Sequence, residues 1–216
     1  MTGRGGAMIR CVVFDFDGTL VQSNQIKRSA FLEVAEGFPG GRAVMERILR
    51  DSEGRDRYWV FGQFADAMPG SLVAAELAAS YTGICRERIA QAPEVDGASA
   101  SLERLRSDGM RLFLSSATPR GPLLEVVGLR RMDGYFEAIH GAPESKLANL
   151  QSIRSRVGCG PQEMAVVGDG ESDCSSAHGL GCHFVAVQSD GNDFTAEPRH
   201  RVSDLTGLPD LLSHLT

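Results

Sequence analysis

The sequence predicts an α/β protein: a parallel β-sheet covered by helices on both faces, with an α-helical module inserted after the first strand. Three observations carry that prediction. Short apolar runs of β type recur at 9–14, 110–115, 136–140, 164–168 and 183–187. Amphipathic helical stretches at 98–108, 120–128, 143–158 and 171–180 alternate with the later runs, and another follows near 204–215. The stretch from 22 to 92 breaks this alternation and holds no convincing strand. Strands that alternate with helices form βαβ units, and near-continuous apolar strands are those buried on both faces.

The elements follow in order. Residues 9–14 (IRCVVF) read as a core strand ending against two acids, Asp15 and Asp17, and then Gly18 and Thr19. Helices are expected near 24–36, 42–51, 56–67 and 71–91, punctuated by Phe38-Pro39-Gly40-Gly41 and Met68-Pro69-Gly70. Ser71 is a candidate N-cap for the last of them. The α/β pattern resumes after Ala-Pro-Glu-Val-Asp-Gly at 92–97. The expected domains are therefore a core of 8–21 plus 93–216 and a helical module of 22–92. Residues 1–7, polar and glycine-rich, read as a frayed tail without the apolar core of a signal peptide, with Met8 a possible natural start.

Composition limits the function. The formal net charge of −6 argues against a nucleic-acid footprint or attraction to anionic lipid. No apolar run approaches the roughly 20 residues that span a bilayer. The five cysteines, at 11, 85, 159, 174 and 182, are odd in number and irregular in spacing, as expected of reduced cytoplasmic thiols. Cys182-His183 lacks the second Cys/His pair that zinc requires. Of 22 basic residues only Lys27 and Lys146 are lysine, a compact point charge where arginine offers a planar fork.

In an open parallel sheet, ligands bind beyond the carboxyl ends of the strands. Polar residues gather at those ends here. The first strand runs into Asp15-Phe-Asp17-Gly-Thr19, and the second into Ser115-Ser116-Ala-Thr118. The third is followed by Pro143-Glu-Ser-Lys146, and the fourth by Gly168-Asp169-Gly-Glu-Ser-Asp173. Taken singly, each has an ordinary explanation: an acid before a helix caps it, a serine makes a turn, a lysine is solvated. Their joint placement in one crevice is what points to a site, because burying two nearby carboxylates is costly without a purpose.

The combination resembles the haloacid dehalogenase superfamily over about residues 9–190, in its phosphatase-like branch. The motif at Asp15 is highly specific, that at Asp169 less so, and the Ser and Lys motifs persuade only in sequence. The resemblance implies a Rossmann-like core with a helical cap between the first motif and the rest. It also implies a phosphatase of small phosphorylated metabolites that works through an aspartyl phosphate. Asp15 is then the nucleophile and Asp17 the general acid and base. Gly18 permits the turn away from the sheet and Thr19 fixes the loop. Ser116 binds the phosphoryl oxygens, Ser115 replacing it if the register shifts by one, and Lys146 neutralises phosphate charge. The metal set is Asp15, Asp17 through its backbone carbonyl, Asp169 and Asp173, the last acting through water or steadying its neighbours. All-oxygen ligation points to Mg²⁺.

Four ionised acids carry −4, and Mg²⁺ with Lys146 returns +3. A protonated Asp17, as the acid role requires, makes the site neutral. The second acid also favours phosphoryl transfer over dehalogenation. Two departures stand out: Lys146 lacks the Lys-Pro-x-Pro context common in relatives, and Ser116 precedes Ala117 where many carry Asn. The alternatives are a phosphomutase sharing the same phosphoaspartate and a non-catalytic binding module. Substrate choice falls to the cap, where Asn24 and Lys27 are candidates, as is a patch of Arg55, Arg57, Tyr58 and Trp59. The histidines show no nucleophile–base spacing. The expected state is a cytoplasmic monomer or homodimer.

Overall fold

A computed structural model describes residues 8–52, 55–189 and 194–215. The proposed tail at 1–7 lies outside the described residues. Two compact units are present, one made of residues 1–22 and 93–216 and the other of residues 23–92.

The first unit is the α/β part. Its strands are β1 (Cys11–Phe14), β2 (Arg111–Pro119), β3 (Ala138–Ala142), β4 (Met164–Gly168), β5 (His183–Val187) and β6 (His200–Val202). They form one six-stranded sheet in the order β3-β2-β1-β4-β5-β6, and every neighbouring pair is parallel. All residues of β1 and of β4 are buried. Strands with no solvated face need apolar residues at every position, which is why these runs do not alternate. The sequence expectation of a parallel sheet with helices is met. β2 runs four residues beyond the expected end, and β6 was not foreseen: His-Arg-Val is short and half polar, at the sheet's edge.

α5 (Ala98–Ser107), α6 (Arg120–Leu129), α7 (Lys146–Val157), α8 (Glu171–Leu180) and α9 (Leu208–Ser213) flank the sheet. Ser145 caps α7, its side chain accepting a hydrogen bond from the Ala148 N–H. Cys11, Val13 and Phe113 pack with Leu150, Ile153 and Val157 of α7, with Cys174 and Ala177 of α8, and with Met164 and Val166. All five cysteines are buried free thiols, and burial pushes the thiols of Cys11 and Cys182 well up.

The second unit is helical: α1 (Asn24–Glu36), α2 (Gly41–Arg50), α3 (Arg57–Ala67) and α4 (Ala74–Gln91). Its core is aromatic. Phe31 stacks on Tyr81 with ring centroids 4.1 Å apart, and Phe61 meets Tyr81 edge-on at 5.8 Å. α3 is capped by Asp56, which accepts from the Trp59 N–H at 2.8 Å. Ser71 does not cap α4; the residue preceding that helix is Val73, and no side chain caps it. No helix among the described residues is long and apolar enough to cross a membrane.

Phe113 is fully buried at the centre of the sheet core. Phe113→Ala is expected to destabilise the chain by about 3–5 kcal/mol, read as a lower urea midpoint with an unchanged slope.

Candidate active site

β3, β2 and β1 succeed one another in one direction, and β4 lies on the far side of β1. The chain therefore reverses direction between β1 and β4, and a crevice opens at their carboxyl ends. Asp15 continues the strand geometry by one residue, its N–H donating to the Val167 carbonyl at 2.9 Å. Gly18 then takes a φ of 77°, a left-handed conformation that suits glycine, and the loop closes as the Gly18 N–H donates to the Val21 carbonyl at 2.8 Å. β4 is in register with β1, with Val167 beside Phe14, so Asp169 emerges level with the Asp15–Asp17 segment.

Four acids and one lysine meet there, all within the α/β unit. Asp15, Asp17, Asp169 and Asp173 are buried. Lys146, the first residue of α7, reaches Asp15 Oδ2 at 3.1 Å and both oxygens of Asp173 at 2.7 Å. Carboxylate oxygens of Asp15, Asp169 and Asp173 lie within 4.8 Å of one another. Asp169 is oriented from two sides: the Thr19 hydroxyl donates to Oδ1 at 3.1 Å and the Ser189 hydroxyl to Oδ2 at 2.8 Å. Asp173 lies over the backbone of Gly168. A Cβ at that position would sit 2.3 Å from Asp173 Cγ, so only glycine lets α8 bring its aspartate this close.

The electrostatics are lopsided. Burial raises Asp15 most, and the fields of Asp173, Asp169 and Asp17 add to it. Lys146 opposes them, and the balance pushes Asp15 up to about 8. Asp173 is raised by burial against the pull of Lys146. For Lys146 burial acts downward, but the two carboxylates together outweigh it and hold the ammonium charged. Three ionised aspartates and one lysine leave −2, the charge one divalent cation neutralises. Asp15 Oδ1 is buried without a hydrogen-bond partner among the described residues. An all-oxygen cluster with an orphaned carboxylate oxygen fits a hard cation such as Mg²⁺.

The sequence-expected residues fall as follows. Asp15, Lys146, Asp169 and Asp173 come together. Asp17 is outside the triplet of carboxylates within 4.8 Å of one another but near enough for its charge to raise Asp15, and it accepts from the Thr118 hydroxyl through Oδ2 at 3.0 Å. Ser116 is buried, and its Oγ accepts from the Thr118 N–H at 3.1 Å. Ser115, its alternative, accepts from Asn149 Nδ2 at 3.1 Å. Asn24 and Lys27 are half-buried in the first turn of α1, in the helical unit. The arginine–aromatic patch divides. Arg57 is buried, donating to the Thr82 hydroxyl at 2.7 Å and lying 4.9 Å from the Tyr81 ring centre. Arg55 covers the Trp59 ring at 5.2 Å, and Tyr58 is exposed. Sequence reasoning assigned no role to Ser189, Asn149 or Thr118. Ser189 follows the end of β5, so the strand-end rule applied to a fifth strand finds it. Asn149 is one polar residue inside a helix and carries no such signal.

Fold and site together define a Rossmann-like hydrolase with an acid-rich crevice. The haloacid dehalogenase-like hydrolase family matches residues 12–187, and the chain belongs to that family. It is 25% identical to protein CbbY of Rhodobacter capsulatus over 92% of this chain and 94% of that protein. It is 27% identical to a phosphoglycolate phosphatase of Rhodospirillum rubrum, over 95% and 89% respectively. The fold superimposes on YfnB of Bacillus subtilis, solved bound to magnesium, with a TM-score of 0.74 at 14% identity, covering 95% of this chain and 99% of that one.

Two outcomes are expected. Folding without metal gives Asp15 a proton that the unfolded chain has released above its ordinary value near 3.8. Stability of the metal-free protein should therefore fall as pH rises from about 4 towards about 8, with Mg²⁺ raising the melting temperature most at the upper end. Gly168→Ala should cost roughly 1–3 kcal/mol in chemical unfolding through overpacking against Asp173, and lower turnover with it.

Proposed function

We propose that the protein is a Mg²⁺-dependent phosphatase that hydrolyses a small phosphorylated metabolite through an aspartyl phosphate on Asp15. The observation that carries this reading is the Lys146 ammonium, on a side chain only 8% exposed, bridging Asp15 and Asp173 beside Asp169. Family membership and the phosphoglycolate phosphatase likeness support a phosphoric monoester hydrolase.

An Asp15 oxygen attacks phosphorus in line with the departing ester oxygen. As that P–O bond breaks, the ester oxygen takes the proton of Asp17 and leaves as an alcohol. Asp17, now ionised, accepts a proton from water while the water oxygen attacks the phosphoryl group. The bond to Asp15 breaks and inorganic phosphate is freed. Lys146 fixes the attacking carboxylate and opposes the negative charge of the phosphoryl group, and the Ser116 hydroxyl donates to its oxygens. Asp15, Asp169 and the Asp17 carbonyl would hold Mg²⁺, steadied by Asp173, and the ion supplies the positive charge that lets a dianion approach. Residues 23–92 act as the cap that selects the substrate, with Asn24 and Lys27 as candidate contacts.

Phosphate release from p-nitrophenyl phosphate should require Mg²⁺ and vanish on chelation. Asp15→Asn should lower kcat by about 10⁴-fold or more while the protein stays folded by circular dichroism. Persistent turnover by that variant removes Asp15 as nucleophile.

A further inference from the structure

Thr118 is held by two hydrogen bonds at the end of β2. Its N–H donates to Ser116 Oγ at 3.1 Å. Its carbonyl lies close to the backbone of Gly141 on β3, where a Cβ would come within 2.6 Å of that oxygen. Its hydroxyl donates to Asp17 Oδ2 at 3.0 Å, across a sequence separation of 101 residues. The β2–β3 register shifts between Ser115 and Pro119, and Thr118 lies within that irregular segment, half-buried. β2 lies beside β1 with Leu114 paired to Phe14, so Thr118 comes level with the loop that follows β1.

We propose that Thr118 is the positioning residue for the proton-transferring carboxyl of Asp17. The assignment rests on the phosphatase reading. A carboxyl group has two oxygens, and only the one facing the ester oxygen is useful in proton transfer. Donation from Thr118 occupies Oδ2 and leaves the proton to reside on Oδ1. In the first step the Oδ1 proton passes to the ester oxygen as the P–O bond breaks. In the second, Oδ1 takes a proton from the attacking water. The Thr118 hydroxyl donates to Oδ2 in both protonation states, so the carboxyl keeps one orientation through the cycle. The Thr118 N–H bond to Ser116 Oγ thereby joins the serine proposed to hold the phosphoryl group to the acid that serves its leaving group.

The test compares kcat/KM, with Mg²⁺ present, for p-nitrophenyl phosphate and phenyl phosphate. The first releases a phenolate that leaves without a proton, and the second leans on the acid. Thr118→Val, near in size to the native residue, should raise the p-nitrophenyl to phenyl ratio by roughly 10-fold to 100-fold, a part of the roughly 10²- to 10⁴-fold that general acid–base catalysis commonly supplies. Thr118→Ser should restore the wild-type ratio. In an Asp17→Asn background, Thr118→Val should change the ratio by less than about twofold, because the two residues act as one unit. An unchanged ratio in Thr118→Val, or an equal effect with and without the Asp17 carboxyl, overturns the positioning role and leaves the phosphatase reading standing. Absence of Mg²⁺-dependent release from either ester by the wild-type protein overturns that reading, and the positioning role with it.

Discussion

The buried ammonium of Lys146 between Asp15 and Asp173 is the contact on which the rest of the site depends. Removing these charges from water is expensive, and their mutual attraction offsets that cost only with close geometry, here 2.7 to 3.1 Å. One lysine cannot balance the acids around it. The surplus keeps a proton on the cluster or calls for a cation, and it ties ionisation of Asp15 to cation binding. A lysine at the first residue of α7 and an aspartate in the first turn of α8 meet because those helices pack side by side behind the sheet.

The scaffold delivers these groups through backbone order. Parallel pairing of β1 with β4 sets Asp15 and Asp169 on adjacent strand ends, where the chain reverses direction. Thr19 and Ser189 then fix the Asp169 carboxylate from neighbouring loops. Gly168 leaves room for Asp173, and Gly141 leaves room for the carbonyl of Thr118. At both, a missing side chain permits close approach, of a carboxylate at Gly168 and of a backbone carbonyl at Gly141. The core beneath, Val13, Phe113 and Val166 against α7 and α8, keeps the strand ends level.

Much of this was legible beforehand, for identifiable reasons. β4, β5, α1 and α8 match their expected bounds because an apolar run or a helical period ends at a glycine, an acid or a polar turn. The acids and Lys146 were legible because each lies within a few residues of such an end. β6 was not, since three residues of mixed polarity carry no period. The Ser71 expectation failed because a capping residue type marks a helix start only when the backbone places it next to the first turn. The arginine–aromatic patch read as one surface, yet Arg57 turns inward onto Tyr81 and Thr82, against residues some 25 positions away.

From its residues alone the chain declared an α/β fold, a crevice at its strand ends and an acid-rich chemistry with one lysine. These follow from local pattern, since periodicity and charge are properties of neighbours in sequence. Assembly in three dimensions determined which oxygen meets which donor: Thr118 on Asp17, Ser189 on Asp169, Asn149 on Ser115 rather than Ser116. Hydrogen bonds between residues far apart in sequence depend on strand register and helix packing to within an ångström, and no local pattern encodes distances of that kind.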